Sequence, residues 1–280
     1  MRIAAAAAVA GRAADGQSCY MPGDTVDAET FFLDAQQKPV KVLEAIKAGT
    51  KVVVLVILGG AYLTTTDKHG GIWCEDSLDE FANLKAARTR YRESGVQFLA
   101  IACPPVYSAK YGYEPWVFLD EPEDSEKYKR AVAQFIEKTE TLRKERTIPF
   151  ETVYYDPRFR LLWNSKEHAA APAYGKLYSW QGRLKWHKDE QRYGTPCIWF
   201  LDAHGKVLRE PLYGNNYSET PPRILFTYWE LDGAIAECLK KAGRKVRTIA
   251  ANKAHKMVKF CVMAGAGSEF SLQAALARAG

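Results

Sequence analysis

Val52–Leu58 places seven aliphatic residues in an unbroken run, five of them β-branched, directly before Gly59-Gly60. Branched side chains are stiff at χ1 and fit a pleated surface. A strand that is apolar at every position has no side to offer water, so it belongs inside a parallel sheet covered on both faces. Val96–Ala102 repeats the pattern and is closed by Pro104-Pro105. Between them Leu78, Phe81, Leu84 and Tyr91 share one helical face over about 78–93, and charged residues fill the opposite face. Ser77-Leu78-Asp79-Glu80 fits a capping box at the start of that helix. Strand, helix and strand make a βαβ unit.

The remaining pattern extends this unit. Thr25–Leu33 and Pro39–Ile46 read as an N-terminal hairpin. Asp124–Lys144 is a second amphipathic helix with Tyr128, Val132, Phe135, Ile136 and Leu142 on its apolar face. Phe150–Tyr155 reads as a further strand. Cys197–Leu201 and Val207–Glu210 form a hairpin across Asp202-Ala203-His204-Gly205, where Gly205 suits positive φ. A last helix, about 223–239, packs Leu225, Tyr228, Leu231 and Ile235. Together these elements predict an α/β mixed sheet with helices on both faces.

Three stretches fall outside that plan. Arg2 precedes an apolar run, Ile3–Ala10, and Ala8-Val9-Ala10 has the small-residue form of a cleavage site. Residues 1–21 therefore read as a flexible leader or a weak signal segment. Residues 163–193 are an insertion rich in tryptophan and tyrosine, either a lid or a self-packed loop. Residues 244–280 are a basic, Ala-rich extension. Eight basic residues and no acidic one lie between Cys238 and Ser268, against a net charge of +6 for the whole chain. No stacking aromatics interleave those charges, so a solvated tail is favoured over a nucleic-acid site. Six Cys in 280 residues are too sparse for a disulfide scaffold. No run of 18 apolar residues offers a membrane span. A phosphate loop, a dinucleotide fingerprint and a Ser-His-Asp pattern are all missing.

Four motifs, in order, carry a resemblance. They are Gly23-Asp24 through Val40; Val52–Leu58; Trp73-Cys74 before a helix, followed by Gly95–Ile101; and Gly194-Thr195-Pro196 followed by Phe200–Val207. This order resembles the thioredoxin superfamily, and within it the redoxin group of peroxiredoxin-like and disulfide-reductase-like proteins. The resemblance covers about residues 22–240. It implies a thioredoxin-like domain over 22–243, with the N-terminal hairpin in front and the Trp-rich insertion before a cis-proline hairpin.

The resemblance also implies a site. Cys74 would be the nucleophile, and Trp73, Thr195 and Pro196 would shape the substrate edge, with the Thr195–Pro196 bond cis. Thioredoxin-like reductases carry a second Cys three residues after the first, and here Ser77 holds that place. Peroxiredoxins carry a Thr three residues before the reactive Cys, and here Gly71 holds it. A second thiol would come from Cys103, at the end of a parallel strand, from Cys197, next to the cis-proline, or from an external thiol reductant. Cys103 and Cys197 read equally as core residues, and Cys238 fits the apolar face of the last helix.

A Cys at a helix N-terminus is expected to have a pKa below the free value of about 8.5. Glu75 and Asp76 oppose that shift, and Ser77 as helix cap would leave Cys74 outside the dipole. The substrate would be a thiol, disulfide or peroxide, with no metal or organic cofactor. His69, His168, His187 and His204 show no ligand spacing. The leading function is a thiol-based oxidoreductase acting through Cys74. The alternative is a redox-silent binding module on the same fold. Soluble placement, cytoplasmic or exported, is expected.

Overall fold

The computed structural model describes residues 20–63, 68–105, 121–159, 177, 179–181, 191–193, 195–213 and 226–243. The leader, the basic extension and most of the Trp-rich insertion lie outside these residues. So do Cys19, Cys261, His168 and His187.

A seven-stranded mixed sheet organises the chain. Its strands are β1 (Phe31–Leu33), β2 (Pro39–Lys41), β3 (Val52–Gly59), β4 (Val96–Cys103), β5 (Val153–Tyr155), β8 (Cys197–Leu201) and β9 (Val207–Tyr213), in the spatial order β2-β1-β5-β4-β3-β8-β9. A separate ribbon pairs β6 (Ser179–Gln181) with β7 (Gln191–Tyr193) inside the insertion. β3 is central and buried at every position, as its aliphatic run requires. It runs parallel to β4, in a register that sets Val52 beside Val96 and Gly59 beside Cys103. β8 pairs with β3 antiparallel, with Ile57 opposite Cys197. Gly205 adopts φ +80° in the β8–β9 turn, as expected. The expected first strand is shorter than its sequence pattern: Thr25 makes only an isolated bridge to Lys206, and β1 begins at Phe31.

The α-helices among the described residues are α1 (Glu75–Tyr91), α2 (Glu126–Lys144) and α3 (Tyr228–Lys241). Helices were expected on both faces of the sheet. Among the described residues all three pack on one. Phe81 and Leu84 of α1, Val132 and Phe135 of α2, and Leu231 and Ile235 of α3 share a core with Val52, Val54, Val56 and Leu58. Chain order gives the reason. β3, β4 and β5 advance in one direction across the sheet, and right-handed crossovers then put both connecting helices on the same side. The opposite face, bearing Val53, Leu55, Ile57, Leu99, Ile101 and Trp199, is covered by Tyr20, Val26 and Val42 from the N-terminal segment and by Phe159 and Leu177.

Two helix starts differ from their sequence signals. α2 is capped by Ser125, whose hydroxyl accepts from the Tyr128 amide. α3 begins with a full capping box between Thr227 and Glu230. The box expected at Ser77–Glu80 does not form, because α1 starts at Glu75 with Cys74 as its N-cap.

Candidate functional site

The site is built where β3 ends. Gly59 is its last residue, and a Cβ there would lie 2.3 Å from the Cys74 Cβ. Only glycine lets α1 begin that close to the sheet. Beside it, a Cβ on Gly60 would strike the Phe135 ring at 2.6 Å. The loop that leaves β3 returns as a narrow antiparallel pair. The Gly60 amide donates to the Cys103 carbonyl at 3.0 Å, the Trp73 amide donates to the Gly60 carbonyl at 3.0 Å, and Ala61 bridges Ile72. This pairing fixes the chain up to Trp73, so helical geometry starts directly after Cys74.

Cys74 adopts an extended conformation, φ −107° and ψ 105°, and its carbonyl accepts from the Ser77 and Leu78 amides at 3.1 and 3.2 Å. Ser77 is fully buried and serves another purpose than capping. Its Oγ accepts from the Gly59 amide at 2.9 Å, and both its hydroxyl and its amide hydrogen-bond the Cys74 thiol. A Ser that looks like a cap in sequence thus ties α1 to the end of β3, at the place where a dithiol reductase carries its second Cys.

Thr195 closes the other side. The Thr195–Pro196 bond is cis, as the resemblance implies. The Thr195 hydroxyl donates to Cys74 Sγ at 3.3 Å, and the thiol donates to the Thr195 carbonyl at 3.4 Å. Residues 121 apart in sequence are brought together. Pro196 is buried and Thr195 half-buried.

Electrostatics correct the expected acidity of Cys74. Burial pushes its thiol above the ordinary value, and Asp76 adds to the rise. The hydrogen bonds from Ser77 and Thr195 pull the other way and do not overcome burial. At rest the group is a neutral thiol. The helix start that sequence placed three residues downstream does reach Cys74, yet desolvation outweighs it.

The other described cysteines are also buried, and none of Cys74, Cys103, Cys197 and Cys238 is in a disulfide. Cys103 and Cys197 lie on the same face of the sheet as Cys74. Cys197 Sγ contacts the Leu177 carbonyl at 3.9 Å. Cys238 belongs to the helix-covered face, as expected, where burial raises its pKa to about 12. Trp73, expected along the substrate edge, turns its indole inward and donates from Nε1 to the Cys103 carbonyl at 2.6 Å. Among the described residues no cluster of His, Cys, Asp and Glu could hold a metal ion. No described helix is long and apolar enough to cross a membrane.

Glu80 escaped the sequence reading because it was spent on the capping box. It is 2% exposed, and burial, reinforced by Asp79, Asp76 and Glu230, raises its carboxyl pKa to about 7, while Asn83 hydrogen-bonds it. The available signal was its spacing: Ser77, Glu80 and Phe81 fall on one face of the helix.

No family model matches the sequence, and no curated protein matches it either. Solved structures do match. A thiol:disulfide interchange protein of the thioredoxin family from Chlorobium tepidum is 14% identical, over 81% of this chain and 99% of its own, with a TM-score of 0.37. The thioredoxin domain of a thiol-disulfide oxidoreductase from Bacteroides vulgatus is 12% identical, over 70% and 91%, with a TM-score of 0.34. A hypothetical protein from Sinorhizobium meliloti is 15% identical, over 82% and 89%, with a TM-score of 0.42. The Chlorobium and Bacteroides proteins are thioredoxin-family proteins, and all three of these neighbours are distant.

Proposed function

We propose that the chain is a thiol-disulfide oxidoreductase that works through the single thiol of Cys74, in a thioredoxin-like domain spanning 22–243 with a leader at 1–21 and an extension at 244–280. The observation that carries this reading is the contact between Cys74 Sγ and both the hydroxyl and the carbonyl of Thr195, beside a cis-proline, at the N-cap of α1. An extended peptide that pairs with the Thr195 backbone would bring its own sulfur to the thiol. Helix amides then stabilise the thiolate as it forms.

Disulfides are favoured over peroxides as substrate. Among the described residues, burial leads the groups that shift Cys74, followed by Ser77, Thr195 and Asp76, and no cation stands among them. Both reactions go through the thiolate, but peroxide attack also needs a positive group to stabilise the departing oxygen, whereas in exchange a low-pKa thiol of the substrate can leave unaided. Ser77 carries no sulfur, so a mixed disulfide on Cys74 waits for a second thiol, either internal or from an external reductant. No organic cofactor takes part in this chemistry.

The binding-module reading has its own support, since the thiol is buried and its pKa is raised. Incubation with oxidised glutathione across pH 6–10 separates the two. The oxidoreductase forms an adduct at Cys74 whose rate rises with pH and has not levelled off at pH 8, and Cys74→Ser forms none there. Absence of any oxidation of Cys74 across the range, whether as a glutathione adduct or as an internal disulfide, would establish the binding module.

A further inference from the structure

We infer that Cys103 is the internal partner thiol of Cys74, and that the Trp73 indole stands between the two in the reduced protein. This rests on Cys74 acting as the exchange thiol. The sheet register carries the rest. Leu99, Ile101 and Cys103 lie on the face shared by Val53, Leu55 and Ile57. Gly59, two residues after Ile57, points to that face, and its register partner on β4 is Cys103. The Cys74 Cβ sits 2.3 Å from where a Gly59 Cβ would be. Cys103 is therefore one strand spacing, about 5 Å, from the position Cys74 occupies.

Cys197 is placed less well. Its register partner is Ile57, so it lies one strand away on the other side and two residues back along β3. Diagonal neighbours of that kind are about 7–8 Å apart. A disulfide needs Cβ atoms about 3.5–4.5 Å apart. Cys103 has the shorter distance to close, and Cys197 Sγ is already turned to the Leu177 carbonyl.

Trp73 decides when closure happens. Its Cε2 is 3.0 Å from the same Gly59 Cβ position, and its Nε1 is bonded to the Cys103 carbonyl. The indole thus lies between the Gly59 anchor of Cys74 and the Cys103 backbone, while Cys74 Sγ is turned to Thr195 on the β8 side of β3 and has to rotate toward β4 to reach Cys103. Turning it outward breaks the hydrogen bond to the Cys103 carbonyl and opens that path.

The chemistry balances with a disulfide RSSR as oxidant. The Cys74 thiolate attacks one sulfur, the S–S bond of RSSR breaks, and RS⁻ leaves and takes up the proton that Cys74 lost. Cys103, deprotonated, then attacks Cys74 Sγ, and a second RS⁻ leaves and takes up the proton from Cys103. Two thiols of the protein are oxidised to one disulfide, and RSSR is reduced to two RSH.

Full-length protein treated with oxidised glutathione, alkylated and mapped by mass spectrometry tests this. The expected product is a Cys74–Cys103 linked peptide, two hydrogens lighter than the reduced pair. Cys103→Ser is expected to retain the Cys74–glutathione adduct instead, and Trp73→Phe to form the internal link about tenfold faster, the equivalent of one buried hydrogen bond. A persistent adduct on wild-type Cys74, or a link from Cys74 to any other cysteine, overturns the inference and leaves the exchange reading standing. No modification of Cys74 at all overturns both. The wild-type map decides even where a variant does not fold.

Discussion

The two faces of the sheet are built differently. The helix-covered face is a continuous aliphatic and aromatic core, in which three helices meet β3 through Val52, Val54, Val56 and Leu58. The opposite face gathers Cys74, Cys103, Cys197, Trp73 and Trp199, and among the described residues loops and strand edges cover it. Both are buried, so burial does not distinguish them. What differs is the cover. Helices satisfy their own backbone and bring only side chains to the sheet. Loops bring backbone polar groups with them, and the indoles of Trp73 and Trp199 bond the carbonyls of Cys103 and Leu177. Such a face has polar groups in reach of a sulfur. The contrast between Cys238 and Cys74 expresses this: both thiols are pushed up by burial, but only Cys74 has Ser77 and Thr195 hydrogen bonds acting against it.

The largest effect expected is on the helix face. Ile235→Ala removes a fully buried side chain of α3 and should cost about 2–5 kcal/mol in urea unfolding. Its rate of Cys74 adduct formation per folded molecule should match wild type, and a changed rate would break the separation of the faces. Gly59→Ala comes next. Its new methyl would meet the first residue before α1 rather than a flexible side-chain tip, so about 1–3 kcal/mol of stability should be lost together with the adduct rate at Cys74. A variant of normal stability and reactivity would show that Cys74 does not depend on that close approach.

Glu80 tests whether the helix face carries a titrating group. Its carboxyl pKa is raised to about 7 in the folded protein, from an ordinary value of 4.5. The folded state holds the proton more tightly, so acidification from pH 8 to pH 5 stabilises the fold. The penalty for ionising Glu80 is absent below about 4.5 and complete above about 7. Glu80→Gln removes it, and should gain on the order of 2 kcal/mol over wild type at pH 8 and little at pH 5. Equal effects at both pH values would mean that Glu80 is not protonated in this window.

The smallest effect belongs to the site. Thr195→Val deletes the hydroxyl that donates to Cys74 Sγ and keeps the carbonyl. The thiol pKa should rise further, because one hydrogen bond that opposes burial is lost, with little change in stability. Iodoacetamide labelling against pH reads that shift, and an unmoved profile would remove Thr195 from the site's electrostatics.

Most of the sheet was legible in the sequence because its signal is local. Val52–Leu58 and Val96–Ala102 are apolar at every step, and the amphipathic period of α2 is long. The faces were not legible. Which side a helix takes depends on strand order, and no residue of α1 or α2 encodes that β5 follows β4 outward across the sheet. The start of α1 was misread for a related reason. Ser77 and Glu80 have the residue types of a capping box, but a cap needs a free helix end, and the Gly60–Trp73 pairing starts the helix three residues earlier.

By itself the sequence determined a central β-branched strand, a βαβ unit, a hairpin over 197–210 and a cysteine next to a helix, all of them consequences of local pattern; the cis bond before Pro196 was implied only by the resemblance. Tertiary structure alone decided how acidic that cysteine is and what it touches. Its acidity is a balance between burial and hydrogen bonds, and its partner Thr195 is 121 residues away. Desolvation and long-range contact are properties of the space around a residue, and a sequence lists residues without that space.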